Sequence, residues 1–147
     1  MQPPTQNLDD TNIIVTAFEP DTLAEEITAN VVRLMLKFEV LRVQLQTPNL
    51  ITARETERSL LRQHASAIRV EGFRAQKRAK SLGINAIYDD YLLRREGVRI
   101  AYFLARGATN QARAIEEQVI SMSVNKALYD LDDDCITIDY DFDLIAA

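Results

Sequence analysis

The stretch DTLAEEITANVVRLMLKFEVLRVQLQ, residues 21–46, decides the fold. Its Ile27, Val31, Leu34, Phe38, Leu41 and Leu45 are spaced 4, 3, 4, 3, 4, the seam of a coiled coil or helical bundle. Val32, Met35, Leu36, Val40 and Val43 widen that seam until the helix is apolar on most of its circumference. Such a helix needs cover on several sides, from the rest of the chain, from a neighbouring subunit, or from both. Asp21 is the expected N-cap, with Glu25 and Glu26 near the positive end of the helix dipole, and Thr47-Pro48-Asn49 is the stop.

Downstream, Thr52 and Glu55 have the spacing of a capping box, which predicts a second long helix to about Leu82, closed by Gly83. Leu60, Leu61, Ala67, Ile68, Ala75, Ala79 and Leu82 fall on one face of it. Arg54, Arg58, Arg62, Arg69, Lys77 and Lys80 run along the flank of that face, and Arg94, Arg95 and Arg99 continue the cationic character on the next helix. Val70 and Phe73 lie off the main stripe, where another neighbour is expected to meet them. A third helix is predicted over about 85–106, with Ile87, Tyr88, Tyr91, Leu92, Ile100, Phe103 and Leu104 at helical spacing. Gly97 in its interior costs about 1 kcal/mol relative to alanine, which points to a kink or a close crossing. Gly107 ends this helix, and Thr109 or Asn110 caps a fourth that runs to about Asp130 with Ile115, Val119, Met122 and Leu128 inward.

The period then changes. Ile136, Ile138, Tyr140, Phe142 and Leu144 alternate with Thr137, Asp139, Asp141 and Asp143, which predicts a strand over 135–145 with one apolar and one acidic face. A lone strand is unstable, so it pairs with the β-branched run Ile13–Phe18 or with another chain. Residues 1–12, with Pro3 and Pro4, read as a flexible arm, and 13–147 as one domain. The expected class is therefore mainly α: a four-helix bundle-like domain with two long helices and a small β element from the two terminal segments.

Charge is sorted along the chain. Residues 1–41 carry seven acids against two bases, residues 42–113 fourteen bases against six acids, and residues 114–147 nine acids against Lys126. A basic middle between acidic flanks implies charged partners or docking between segments. With 147 residues and 47% hydrophobic content, the chain is long enough to bury a core without staples. Its one cysteine, Cys135, makes no internal disulfide and reads as a small buried hydrophobe. Charges at Arg33, Lys37, Glu39 and Arg42 keep every apolar run below the ~20 residues of a membrane span, so no membrane partner is expected. The start MQPPTQ lacks the pattern of a secretory signal, and a cytoplasmic location is expected by elimination.

No residue earns a catalytic, cofactor-binding or metal-binding role. His64, the single histidine, sits near the Leu60/Ile68 face and is expected as a packed core or interface imidazole; the Glu-x-x-His pattern of bundle metal sites is absent around it. Counted from Asp130, the acids 130–134 have Cys135 where a calcium loop needs glycine and Asp141 where it needs glutamate. There is no glycine-rich phosphate loop and no Gly-x-Ser-x-Gly elbow. The expectation is a non-catalytic structural or adaptor protein without cofactor. It would form a homo-oligomer or dock on a protein partner through Leu34, Phe38, Leu41, Leu45, Ile138, Tyr140 and Phe142. The alternative is a nucleic-acid-binding accessory protein that uses the basic stripe and is regulated by the acidic tail.

Overall fold

A computed structural model describes Asp10 and residues 12–47, 55–86 and 88–129. The expected closing strand 135–145, with Cys135, Ile138, Tyr140 and Phe142, lies outside the described residues, as do the Asp130–Asp134 cluster, Thr52 and Arg54. Four helices make up the fold: α1 (Leu23–Gln46), α2 (Glu55–Ser81), α3 (Asp90–Ala105) and α4 (Thr109–Tyr129).

Helix α1 is the axis of the molecule. Its N-cap is Thr22 rather than Asp21: the Thr22 hydroxyl accepts from the Glu25 N–H at 3.1 Å, and the Glu25 carboxylate reaches back to the Asp21 N–H at 2.8 Å. A threonine three residues before a glutamate satisfies two orphan donors together, which a lone aspartate one position earlier does not. Both apolar faces of α1 are covered within the chain. Ala29, Val32, Leu36, Val40 and Val43 join Leu92, Leu93 and Ile100 of α3 and Ile115, Val119 and Ile120 of α4 in the main core. On the opposite side, Ile27 and Val31 meet Ala79 and Ala86, and Leu41 meets Ala65 and Ile68.

Helix α2 packs on α1 and has no substantial packing on α3 or α4. Its inward stripe is Leu61, Ala65, Ile68, Gly72, Ala75 and Ala79, mostly small residues. The stripe is rotated from the one predicted: Leu60 is 63% exposed, Ala67 is exposed and Leu82 faces outward. The small residues explain the rotation, because they let the two helix backbones approach. A Cβ on Gly72 would stand 2.7 Å from the Met35 sulfur. Val70 and Phe73 meet no covering neighbour and stay about half exposed.

Helix α3 starts at Asp90, five residues later than predicted, because the Asp89 carboxylate caps the Tyr91 and Leu92 N–H groups. Gly97 marks a close crossing, as anticipated: a Cβ there would lie 2.9 Å from Glu39 Cβ and 3.4 Å from the Val40 nitrogen on α1. The predicted breaks at Gly83 and Gly107 are present. Both glycines have positive φ, and at each helix end a backbone N–H two residues past the cap bonds back to the third-last helical carbonyl (Ile84 to Ala79, 2.8 Å; Ala108 to Phe103, 2.9 Å).

The run Ile13–Phe18 is extended but is not a strand, and no strand occurs among the described residues. It lies along α4, and its anchor is a side chain in place of a β ladder: the Phe18 N–H donates to Glu117 at 2.8 Å. Asp10 is buried and caps α4, accepting from the Asn110 and Gln111 N–H groups at 3.0 and 2.8 Å. The cap predicted from Thr109 or Asn110 thus comes from a residue a hundred positions away.

Candidate binding surface

The predicted interface residues divide. Leu34, Phe38, Leu41 and Leu45 pack on α2 of the same chain, around Leu61, Ala65 and Ile68. Leu41 is buried and the other three are half-buried, so the α1 seam is largely closed inside the molecule. His64, expected in a packed position, is instead exposed at the flank of the buried α2 stripe, because the stripe centres on Leu61, Ala65, Ile68 and Gly72 and not on Leu60.

The basic stripe also divides, by what each cation touches. Arg58 donates to the Leu45 carbonyl at 2.7 Å and so satisfies an orphan acceptor in the last turn of α1. Arg62 pairs with Glu55 at 2.6 Å on the exposed surface, and its hydrogen bond holds the Glu55 carboxyl below the ordinary carboxylate range. The Arg69 guanidinium lies 5.7 Å from the Phe38 ring centre and 5.5 Å from that of Phe73, bridging α1 and α2 by cation–π contact. On α3, Arg95 and Arg99 each lie 2.8 Å from the buried Glu96 carboxylate. Arg95 is itself enclosed, whereas Arg94 is exposed. Much of the cationic midsection therefore serves the fold.

Lys77 and Lys80 remain on the surface, and with Phe73 they edge a groove of about 650 Å³. Its other wall is Gly83, Ile84, Asn85 and Ala86. The groove follows from local chemistry: the left-handed turn at Gly83 folds the chain back beside the last turns of α2, where Ile84 and Ala86 pack toward Ala79. Gln76 donates to the Tyr88 hydroxyl at 3.2 Å, which fixes the returning segment to the helix. Burial pushes the Tyr88 hydroxyl above the usual phenol range, so it stays protonated. The lysines were legible in the sequence. Ile84 carried no signal beyond the turn at Gly83, and Asn85 is the predicted start of the next helix, which begins instead at Asp90.

Two further surface features matter. Tyr91, Val98 and Tyr102 of α3, 50%, 40% and 44% exposed, are spaced seven and four residues apart. They form one line on the side of α3 opposite its buried residues Leu93, Ile100 and Ala101. A smaller hollow of about 330 Å³ runs between Pro20, Leu23, Arg33 and Arg78, near the start of α1.

Among the described residues no three His, Cys, Asp or Glu side chains converge on a possible metal site, and no helix is long and apolar enough to cross a membrane. The groove offers two cations, an aromatic ring and an apolar wall, a set suited to non-covalent capture. No protein-family model, no curated protein and no solved structure matches this chain.

Proposed function

We propose that the protein is a non-catalytic structural or adaptor protein that assembles with copies of itself or docks on a protein partner. The observation that carries this reading is the Tyr91–Val98–Tyr102 line on α3, an outward apolar stripe opposite the core. Isolated exposed apolar residues are ordinary, but three on one helical line are the pattern of a helix that packs on both sides. Tyrosine suits such a surface, because its ring buries apolar area while its hydroxyl stays hydrated or bonded. The interface expected along α1 gives way to this stripe and to the open edge of α2, because the α1 seam is occupied in-chain. The expected terminal β strand belongs to the same proposal, as an element that adds to an edge on another molecule.

Sedimentation velocity across a salt series tests the reading. Self-association at tens of micromolar is expected, and Val98→Glu should weaken it by about tenfold or more by placing a charge in the buried stripe. A wild-type chain that stays monomeric at low salt, and captures no protein partner through α3, would remove the proposal. Binding of nucleic acid without self-association would favour the accessory-protein alternative. That alternative is weakened by the in-chain engagement of Arg58, Arg69, Arg95 and Arg99.

A further inference from the structure

The C-terminal ends of α2 and α4 share one pole of the bundle. Ile27 and Val31, in the first turns of α1, pack against Ala79 and Ala86. Glu25, two residues before Ile27, accepts the hydrogen bond of the Tyr129 hydroxyl at the end of α4. Residues 130–147 therefore follow an element that ends at the same pole as the last turns of α2, whose Phe73, Lys77 and Lys80 edge the groove.

We infer that this groove is the docking site for the chain's own segment 130–147, held within the same molecule. The inference rests on the interaction-module reading above and deepens it: the segment proposed there to add to another molecule's edge rests in the groove until a partner releases it.

Three properties match. The first is charge: 130–147 holds seven aspartates and no base, while Lys77 and Lys80 edge the groove at the end of α2. The dipole of α2 favours cations in its last turn. It does not account for a half-exposed phenyl ring beside them, and Phe73 is 50% exposed. The second is pattern. In extended form Ile138, Tyr140 and Phe142 share one edge and Asp139, Asp141 and Asp143 the other. The apolar edge fits against Phe73 and Ile84, and the lysines, on flexible stems at the rim, reach over to the carboxylates. The third is reach. Nine residues from Asp130 to Ile138 span up to about 30 Å when extended. A tether of that length gives an effective concentration of order millimolar, so contacts too weak to recruit a second molecule still hold the chain's own segment. A partner that uses the groove must then present a similar acidic, aromatic strand and displace the tail.

The chain contains no tryptophan, so Phe142→Trp places a single reporter in the segment. Blue-shifted emission and shielding from acrylamide are expected in the full chain, unchanged across protein concentrations from about 1 to about 100 micromolar. Adding Lys77→Glu and Lys80→Glu should shift the emission red and raise quenching by about threefold or more, and high salt should act in the same direction. Arg74→Glu, a charge reversal at an exposed α2 residue outside the groove, should leave the signal alone, and far-ultraviolet dichroism confirms that each variant is folded. A solvent-like tryptophan indifferent to the lysine substitutions overturns the inference. So does emission that varies with concentration, which would hand the groove to the tail of a second copy. Sedimentation of the same samples keeps the two proposals apart. A monomer with a shielded tryptophan removes self-assembly and leaves the docked tail standing.

Discussion

Glu117 shows how single residues hold this fold. It is buried on α4, where its two carboxylate oxygens accept from the Phe18 N–H and from Arg33, each at 2.8 Å. Burial alone would push the carboxyl up, but the hydrogen bonds from Arg33 and Phe18 outweigh it and hold the group below the ordinary carboxylate range. A depressed folded value means that the associated stability is fully present above the unfolded value of about 4.3. It is lost as pH falls through the folded value. The adjacent Glu116 is shifted the other way by burial, so the whole-protein acid profile mixes both signs, and a variant is needed to isolate Glu117. Glu117→Gln should reduce stability by about 1–3 kcal/mol at pH 7. The gap to wild type should narrow at an acidic pH below the unfolded value, as the native carboxyl begins to take up its proton. Urea midpoints at both pH values check this, and a gap independent of pH would contradict it.

At the scale of the element, two glycines set how closely helices cross α1, and the structure separates their roles. A methyl at Gly97 would strike Glu39 Cβ and the α1 backbone, neither of which can swing away. A methyl at Gly72 would meet the far end of Met35, a flexible side chain. Gly97→Ala should therefore cost about 1–3 kcal/mol through forced separation of α1 and α3. Gly72→Ala should be neutral or stabilising, because the gain in helix propensity of roughly 0.5–1 kcal/mol survives once Met35 re-rotates. Thermal unfolding of the two variants gives the comparison, and equal losses would mean that the α2 crossing is as rigid as the α3 crossing. The same crossings bear on what was legible. Gly97 was readable because an isolated glycine interrupts an otherwise helical pattern. The role of Gly72 was not, because Ala65 and Gly72 contribute so little hydrophobicity that Leu60 and Ala67 took their place on the predicted face.

Over the whole molecule, burial is unequal. Helices α1, α3 and α4 share one continuous core, whereas the fully buried residues of α2 are Ala65, Ile68, Gly72 and Ala79. Only Ile68 among them is large, and burying such a side chain is worth about 1.5–3 kcal/mol. Helix α2 should therefore open ahead of global unfolding. Native-state hydrogen exchange is expected to give α2 amides a free energy of opening at least about 1–2 kcal/mol below those of Leu36 and Ile120. Equal protection along all four helices would show that α2 belongs to the same cooperative unit as the core. An element held this loosely beside the groove is also the part of the molecule that a docked segment or partner would stabilise most.

The amino-acid sequence by itself determined that the chain is mainly helical and where several helices stop. Apolar spacing, capping residues and positive-φ glycines act within about four residues along the chain. It also determined that α1 needs cover on several sides. Tertiary structure decided who supplies that cover. Leu34, Phe38, Leu41 and Leu45 meet α2 of the same chain, and Arg58 and Arg69 fasten those two helices together. It decided as well that Asp10 caps α4 and that Phe18 hangs on Glu117, contacts that join residues about a hundred positions apart. No local period encodes such partners, because which cation meets a carbonyl, an arene or open water depends on how the helices are rotated against one another.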